Sequence, residues 1–293
     1  MLKFKYVHFY SNQINTLDLV NVIVPEVQKY FPNTTIDLRC PILSNINEIT
    51  AEALVSIRIY NIMKPFSEQL ENKVCYRPGI EDLAYEINFP STRDLSNTYP
   101  HNGTFEGAYN KELVLYDGFM MQRLLRTMIN ENETNTDHVH IIFEDRLVCT
   151  FSEEDWRYHA RTIVSGVPSI ISTTGIIEGP ARPKEWYLRR MELAACGKQI
   201  NNEYEASNDE NLAVNKYLKY GDNRINFIAI GYVLQTLFFF ITEGDPFCTD
   251  INCRLYNAHW QEELIYSQLK AKSLCDKHYS LLQTFNTAPT EYH

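Results

Sequence analysis

Three things are missing from this chain, and each closes off a class of function. The opening residues, MLKFKYVHFYSNQ, have neither the apolar core nor the small-residue cleavage site of a secretory leader, so the expected location is cytoplasmic. No run of lysines or arginines occurs, and Lys+Arg 27 against Asp+Glu 37 leaves a formal net charge of −10. A surface of that sign does not attract a phosphate backbone, and no nucleic acid partner is expected. No uninterrupted apolar run of spanning length is present either. The longest, Ile225 to Thr242, is broken by Asn226, Gln235 and Thr236 and is short for a bilayer, so no membrane segment is expected. The seven cysteines are odd in number, and without a leader they fit a reducing cytosol better than a disulfide framework.

What the chain does have is enough apolar material for a substantial core, with 44% hydrophobic and 13% aromatic residues over 293 positions. The segment INFIAIGYVLQTLFFFIT is apolar all round, the pattern of a helix packed inside a large domain. Asp222, Asn223 and Arg224 give it a polar start, and Gly244 with Pro246 give it a stop. The expected architecture is a single domain over residues 1–293 organised around that central buried helix.

Directly after the helix come Cys248, Cys253, Cys275 and His278, spaced C-x4-C-x21-C-x2-H. Two close pairs separated by a longer segment can close a tetrahedron around zinc. Cys248 and Cys253 flank a polar Thr-Asp-Ile-Asn loop, which reads as turn rather than core. The alternative is that the three thiols are ordinary buried cysteines. With all four positions filled by protein, a metal held here would be structural, with no open position for water or substrate.

This tail resembles the archaemetzincins, metzincin-type zinc metalloproteases whose catalytic motif H-E-x-x-H-x-x-G-x-x-H is followed by Cys, four residues, Cys, one residue and Met, then a later Cys-x-x-Cys. Here Cys248, Cys253 and Leu255 match the first part with leucine for the methionine, and Cys275 with His278 match the second with histidine for the last cysteine. In that register the motif's glycine falls on Gly244, but its zinc ligands and base fall on Leu237, Phe238, Ile241 and Phe247. None of these side chains can hold a metal or abstract a proton. The resemblance therefore implies an α/β, metzincin-like twisted mixed sheet with a central buried helix and a C-terminal zinc-bound segment over 244–283. It implies a structural zinc that is kept and a catalytic zinc that is lost. The segments CRLYNAHWQEEL, DWRYHAR and SIISTTGIIEGPARP also resemble an archaeal family of metallopeptidase type with no assigned activity.

The rest of the chain fits a β-α-β opening, with a strand from Lys3 to Tyr10, a helix from Leu17 to Tyr30 and a second strand from Thr35 to Cys40. Ile49 to Lys64 is expected to be helical, and about 65–110 to be an insertion or long surface excursion. Leu113 to Ile129 has helical spacing, with Tyr116, Met120, Leu124 and Met128 on one side. His138 to Phe143 alternates as a strand that points His138, His140 and Ile142 one way. An H-x-H pair on one strand face can ligate a metal, though two histidines on a half-exposed face are the simpler explanation. Glu144, Asp145 and Arg146 read as solvated turn charges. His159 could serve as a general acid or base with Arg161 gripping an anionic group, or make structural hydrogen bonds. Ser169 to Ile177 reads as a strand; as a sheet edge it could bind an extended peptide by strand addition, and otherwise it is an interior strand. His259 and Glu263 share a helix face, where a capping or surface role competes with metal binding. Thr284 to His293 reads as a frayed tail.

These observations lead to a cytoplasmic pseudo-metallopeptidase holding one structural Zn(2+) and binding a peptide or protein partner. The rival is an active metal-dependent hydrolase whose site was rebuilt from His138, His140, His159, His259 or nearby carboxylates.

Overall fold

Strands form where apolar and polar residues alternate, and in the computed structural model, which describes residues 3–10, 17–71, 78–89, 114–196 and 217–288, that alternation fixes two sheets. The chain opens with β1 (Tyr6–Tyr10), a π-helical turn (Leu19–Ile23) running into α1 (Val24–Tyr30), and β2 (Thr35–Arg39). It continues through α2 (Glu48–Ser56), α3 (Phe66–Glu71) and α4 (Ile80–Ile87) to β3 (Leu115–Asp117) and α5 (Gly118–Arg126). Five strands follow: β4 (His138–Glu144), β5 (Leu147–Ser152), β6 (Arg157–Arg161), β7 (Ile163–Val164) and β8 (Ser169–Ser172). The last part comprises α6 (Thr173–Glu178), α7 (Lys184–Ala195), α8 (Arg224–Ile241), α9 (Gln261–Ile265) with a π-helical continuation to Ala271, and α10 (Asp276–Thr287).

The larger sheet has the order β2-β1-β4-β8-β7, parallel except for the short β7, and the smaller one the order β3-β5-β6 with β6 antiparallel. Because side chains alternate across a strand, Val7, Phe9, Val139, Ile141 and Phe143 form one face of the larger sheet and pack against α8. The opposite face carries Tyr10, Ile142 and Ile170, which meet Leu54 of α2 and Met121 and Leu125 of α5. The sheet is therefore the middle of three layers.

α8 is the central buried helix that its sequence predicts. It is long and apolar enough to cross a membrane, yet 83% of it is buried inside the protein. Several of its polar groups are bonded internally: the Asp18 amide donates to Asn226 Oδ1 at 2.6 Å, Gln235 Nε2 donates to the Tyr256 carbonyl at 3.1 Å, and Thr236 Oγ1 donates to the Tyr232 carbonyl at 3.0 Å. The helix ends with Glu243 at φ 58 and the Gly244 amide on the Phe239 carbonyl, a left-handed C-terminal cap.

Several expectations from the sequence are corrected. Ser169 to Ile177 is not one strand and not an edge, since β8 lies between β4 and β7 and gives way to α6. The cause is its hydroxyl run. Ser172 Oγ accepts from the Gly175 amide at 2.9 Å as an N-cap, while the Thr173 and Thr174 hydroxyls bond to Asp145. Leu113 to Ile129 is not a single helix, because Asp117 caps α5 by accepting from the Met120 amide at 2.9 Å and leaves Tyr116 in β3. The buried stripe of α5 is consequently Gly118, Met121 and Leu125, and Met128 is exposed. The stretch Ile49 to Lys64 stops being helical after Ser56. The C-terminal residues up to Thr287 are helical, with Phe285 packed on Phe4 and Phe31.

The charges of Glu144, Asp145 and Arg146 are buried rather than solvated. Arg146 Nη1 donates to Glu144 Oε1 at 3.0 Å, and its Nε donates to Glu86 Oε2 at 3.0 Å. Glu86, from α4 and fully buried, also accepts from Arg58 Nη2 at 2.6 Å and from the Tyr116 hydroxyl at 2.7 Å. A carboxylate surrounded by two guanidiniums holds them together, and its removal leaves buried cations short of a partner. Glu86→Gln is expected to lower urea-derived stability by about 3–5 kcal/mol; a loss too small to measure would mean that solvent reaches the cluster.

Asp145 differs, for burial pushes its carboxyl up to about 7, against the lowering effect of the Thr173 hydroxyl. A carboxyl that holds its proton more tightly when folded contributes most below its unfolded pKa, and that contribution falls as pH rises toward the folded value. Between about pH 5 and pH 8, wild type should lose on the order of 2–3 kcal/mol relative to Asp145→Asn. Parallel pH profiles for the two proteins would contradict this.

Candidate functional site

Cys248 and Cys253 sit on a tight loop that leaves α8. The Cys248 amide donates to the Leu255 carbonyl at 2.9 Å, the Asn257 amide to the Cys248 carbonyl at 3.2 Å, and Asp250 Oδ1 accepts from the Asn252 amide at 2.9 Å. Two glutamines clamp this loop to the core: Gln235 of α8 holds the Tyr256 carbonyl, and Gln268 Nε2 holds the Arg254 carbonyl at 2.8 Å. Gln268 lies so close to α8 that a Cβ on Gly231 would come within 1.8 Å of its Oε1, which is why that helix position has no side chain. The second pair comes from the start of α10, where Cys275 is the N-cap and His278 lies in the first turn.

The fold brings these four side chains together. The Sγ atoms of Cys248, Cys253 and Cys275 and a ring nitrogen of His278 all lie within 4.8 Å of one another. Cys248 Sγ is 3.8 Å from Cys275 Sγ, and Cys253 Sγ is 3.6 Å from His278 Nδ1. Metal–sulfur bonds of about 2.3 Å and a metal–nitrogen bond of about 2.0 Å in a tetrahedron require edges of about 3.8 and 3.5 Å. Cys275 Sγ and His278 Nδ1 are closer, at 3.1 Å, a hydrogen-bonding distance that would widen around an ion. The residues present therefore could hold a metal ion.

The electrostatics suit thiolate ligands. The Asp250 amide points at Cys248 Sγ and the Cys275 amide at Cys253 Sγ, both at 3.4 Å, and Cys275 sits at the positive end of α10. Burial raises the Cys248 thiol and pushes the Cys253 thiol up to about 12, whereas for Cys275 hydrogen bonds from the His278 and Lys277 amides and the other two thiols outweigh burial and lower it. Burial also lowers His278, which favours the neutral imidazole that a metal ligand must be. A bound cation would remove protons that burial otherwise keeps on the sulfurs.

Leu237, Phe238 and Ile241, which stand in register with metal ligands and base in the resemblance above, are all buried in the core of α8, and Phe247 is half-buried. The ring of Phe238 meets the His278 imidazole edge-on, with centroids 5.6 Å apart. The helix thus contributes packing to the cluster and no ligands.

The other predicted residues divide. His138 and His140 share a face of the larger sheet with His8, which sequence reading missed. His8 Nδ1 is 2.6 Å from Asp37 Oδ1, and His8 Nε2 is 2.8 Å from His138 Nδ1. His140 is fully buried between the Tyr10 hydroxyl at 2.9 Å and the Glu133 carbonyl at 2.8 Å, and burial pulls it down to about 4. Burial also lowers His138. Glu133, paired with Arg39, is pushed down to about 2 by that hydrogen bond. His159 and Arg161 lie elsewhere, on β6 of the smaller sheet, where His159 Nε2 pairs with Asp155 at 2.8 Å and Arg161 Nε donates to Thr150 Oγ1 at 2.7 Å. His259 is exposed, and Glu263 caps α9 by accepting from the His259 and Trp260 amides at 3.1 and 3.2 Å. No local motif marks His8, Asp37 or Glu133; only the place of His8 in YVHFY, two residues from Tyr6 and from Tyr10 and out of phase with Val7 and Phe9, put it on the polar side of the strand.

Fold and site together define a mixed α/β protein with a Cys3His cluster able to hold a metal. Residues 92–285 match the family described as "Probable metallopeptidase family (DUF6775)", and the chain belongs to that family. No curated protein and no solved structure matches the chain.

If a metal closes this cluster, stripping it with a chelator or making Cys253→Ser should lower the thermal midpoint by roughly 10 °C. An unchanged midpoint by calorimetry in both cases would mean that the thiols pack without a metal.

Proposed function

We propose that this protein is a metzincin-like member of its family that holds one structural zinc on Cys248, Cys253, Cys275 and His278 and performs no metzincin-type catalysis at the position usual for that class. Its role is to bind a peptide or protein partner. The carrying observation is that the helix positions in register with the catalytic motif are Leu237, Phe238 and Ile241, all buried, with Phe238 packed on the imidazole of the neighbouring cluster. Three thiols and one imidazole are a donor set that favours zinc over the hard cations, and four protein donors leave no position for a substrate. For an extended peptide the candidate place is β2, the edge of the larger sheet, beyond which no strand lies among the described residues.

A second reading, an active metal-dependent hydrolase with its site rebuilt elsewhere, draws on the convergence of His8, Glu133 and His138. The two readings differ in chemistry that can be measured. The purified protein should carry about one tightly held zinc per chain, lost in Cys275→Ser and in His278→Ala, and should not cleave unstructured protein substrates. A tightly held, non-exchangeable zinc equivalent that survives both substitutions would sink the structural assignment. Chelator-sensitive cleavage that persists in Cys275→Ser would favour the hydrolase.

A further inference from the structure

The polar side of the larger sheet holds a second constellation. β1 and β4 pair in parallel with Tyr6 opposite His138 and His8 opposite His140, so all three imidazoles project from one face. β2 places Asp37 opposite His8. Glu133 enters from the 3-10 turn Glu131–Glu133 that precedes β4. One ligand atom each from His8, Glu133 and His138 lies within 4.8 Å of the other two.

The hydrogen bonds assign roles to these groups. Asp37 can only accept as a carboxylate, so the 2.6 Å contact puts the His8 proton on Nδ1 and turns the bare Nε2 toward His138. A carboxylate behind one imidazole nitrogen, with the other nitrogen facing inward, is the arrangement that orients metal-binding histidines. At 2.8 Å, His8 Nε2 and His138 Nδ1 share one proton. A cation replacing that proton would need the nitrogens about 3.3 Å apart, a small rotation for the half-buried His138. His140 is already engaged on both nitrogens. The Glu133 carbonyl that its Nε2 meets can only accept, so Nε2 carries the proton and Nδ1 receives the Tyr10 hydroxyl. His140 thus anchors the Glu133 backbone, and Arg39, bonded to both carboxylates, anchors the side chains.

We propose that His8, His138 and Glu133 form a second site for a divalent first-row transition metal, with Asp37 orienting His8 and with His140 and Arg39 positioning Glu133. Two imidazoles and a carboxylate suit zinc, cobalt or nickel, and three protein ligands leave a coordination position for water or a substrate oxygen. The site does not depend on the Cys3His cluster. The two use different residues, one set on the polar face of the larger sheet and the other in the layer that covers α8 on the far side. Arg39 competes for the same carboxylate, so the metal here is exchangeable.

The test is titration of the zinc-loaded, full-length protein with cobalt(II), read by visible d–d absorption and by metal content after gel filtration. We expect about one further equivalent, without the sulfur-to-cobalt charge-transfer band that thiolate ligation would produce. His138→Ala and Glu133→Ala should each weaken its binding about tenfold or more, while circular dichroism stays that of wild type. Glu133→Gln, which keeps the hydrogen bond to Arg39, should weaken it as well and guards against a folding defect. Cys275→Ser should remove the first metal and leave the second, so failure of the structural zinc and failure of this site are separable. Absence of a second equivalent at submillimolar cobalt, or one indifferent to both His138→Ala and Glu133→Ala, would overturn the proposal.

Discussion

The structure depends on the burial of one helix on every side. Ile228, Ala229, Val233, Leu234, Leu237 and Phe238 of α8 have no solvent exposure. Burying each large apolar side chain stabilises the fold by about 1.5–3 kcal/mol relative to leaving it in water. An amphipathic helix can lie on a sheet and leave its other side wet. This one cannot, so the chain must supply a second layer, and it does so with the loop from Cys248, the helix pair after Gln261 and α10. The Cys3His cluster sits in that covering layer. Its geometry follows from the same constraint, since Phe238 packs on His278 and Gln235 and Gln268 fix the loop carbonyls beside the cysteines.

The sheet beneath the helix has a second consequence. Period-two alternation means that once Val7, Phe9, Val139 and Ile141 face α8, His8, His138 and His140 must face away. Parallel pairing in register then sets them next to one another and next to Asp37. Charge accumulates beyond the ends of the strands as well, where Glu144 and Arg146 close a buried network with Glu86 and Arg58. Such a network contributes little net stability when intact, and losing one partner is costly. It ties α4, from the stretch between 65 and 110, to the turn that joins the two sheets.

Local pattern made part of this visible in advance. The β-α-β opening, α8 with its start and stop, and the Cys and His positions are all readable because each rests on neighbours in sequence: alternation, unbroken apolarity, or a ligand spacing. Where the reading failed, side chains from elsewhere changed the local preference. Ser169 to Ile177 has the β-branched composition of a strand, but Asp145 and the carbonyl of Arg146 capture its hydroxyls, and Ser172 becomes an N-cap. Asp117, whose carboxyl accepts from both the Met120 amide and the Tyr158 hydroxyl, splits an apparent helix into strand and helix.

Sequence by itself determined that a helix apolar on all faces would be buried, and that three cysteines and a histidine would follow it at ligand spacing. Only tertiary structure decided that those four atoms converge, that Glu144, Asp145 and Arg146 are buried, and that His8 joins His138 and Glu133. Hydrophobic periodicity is a property of adjacent residues, whereas the register between strands separated by more than a hundred positions is set when the two faces of the sheet are packed.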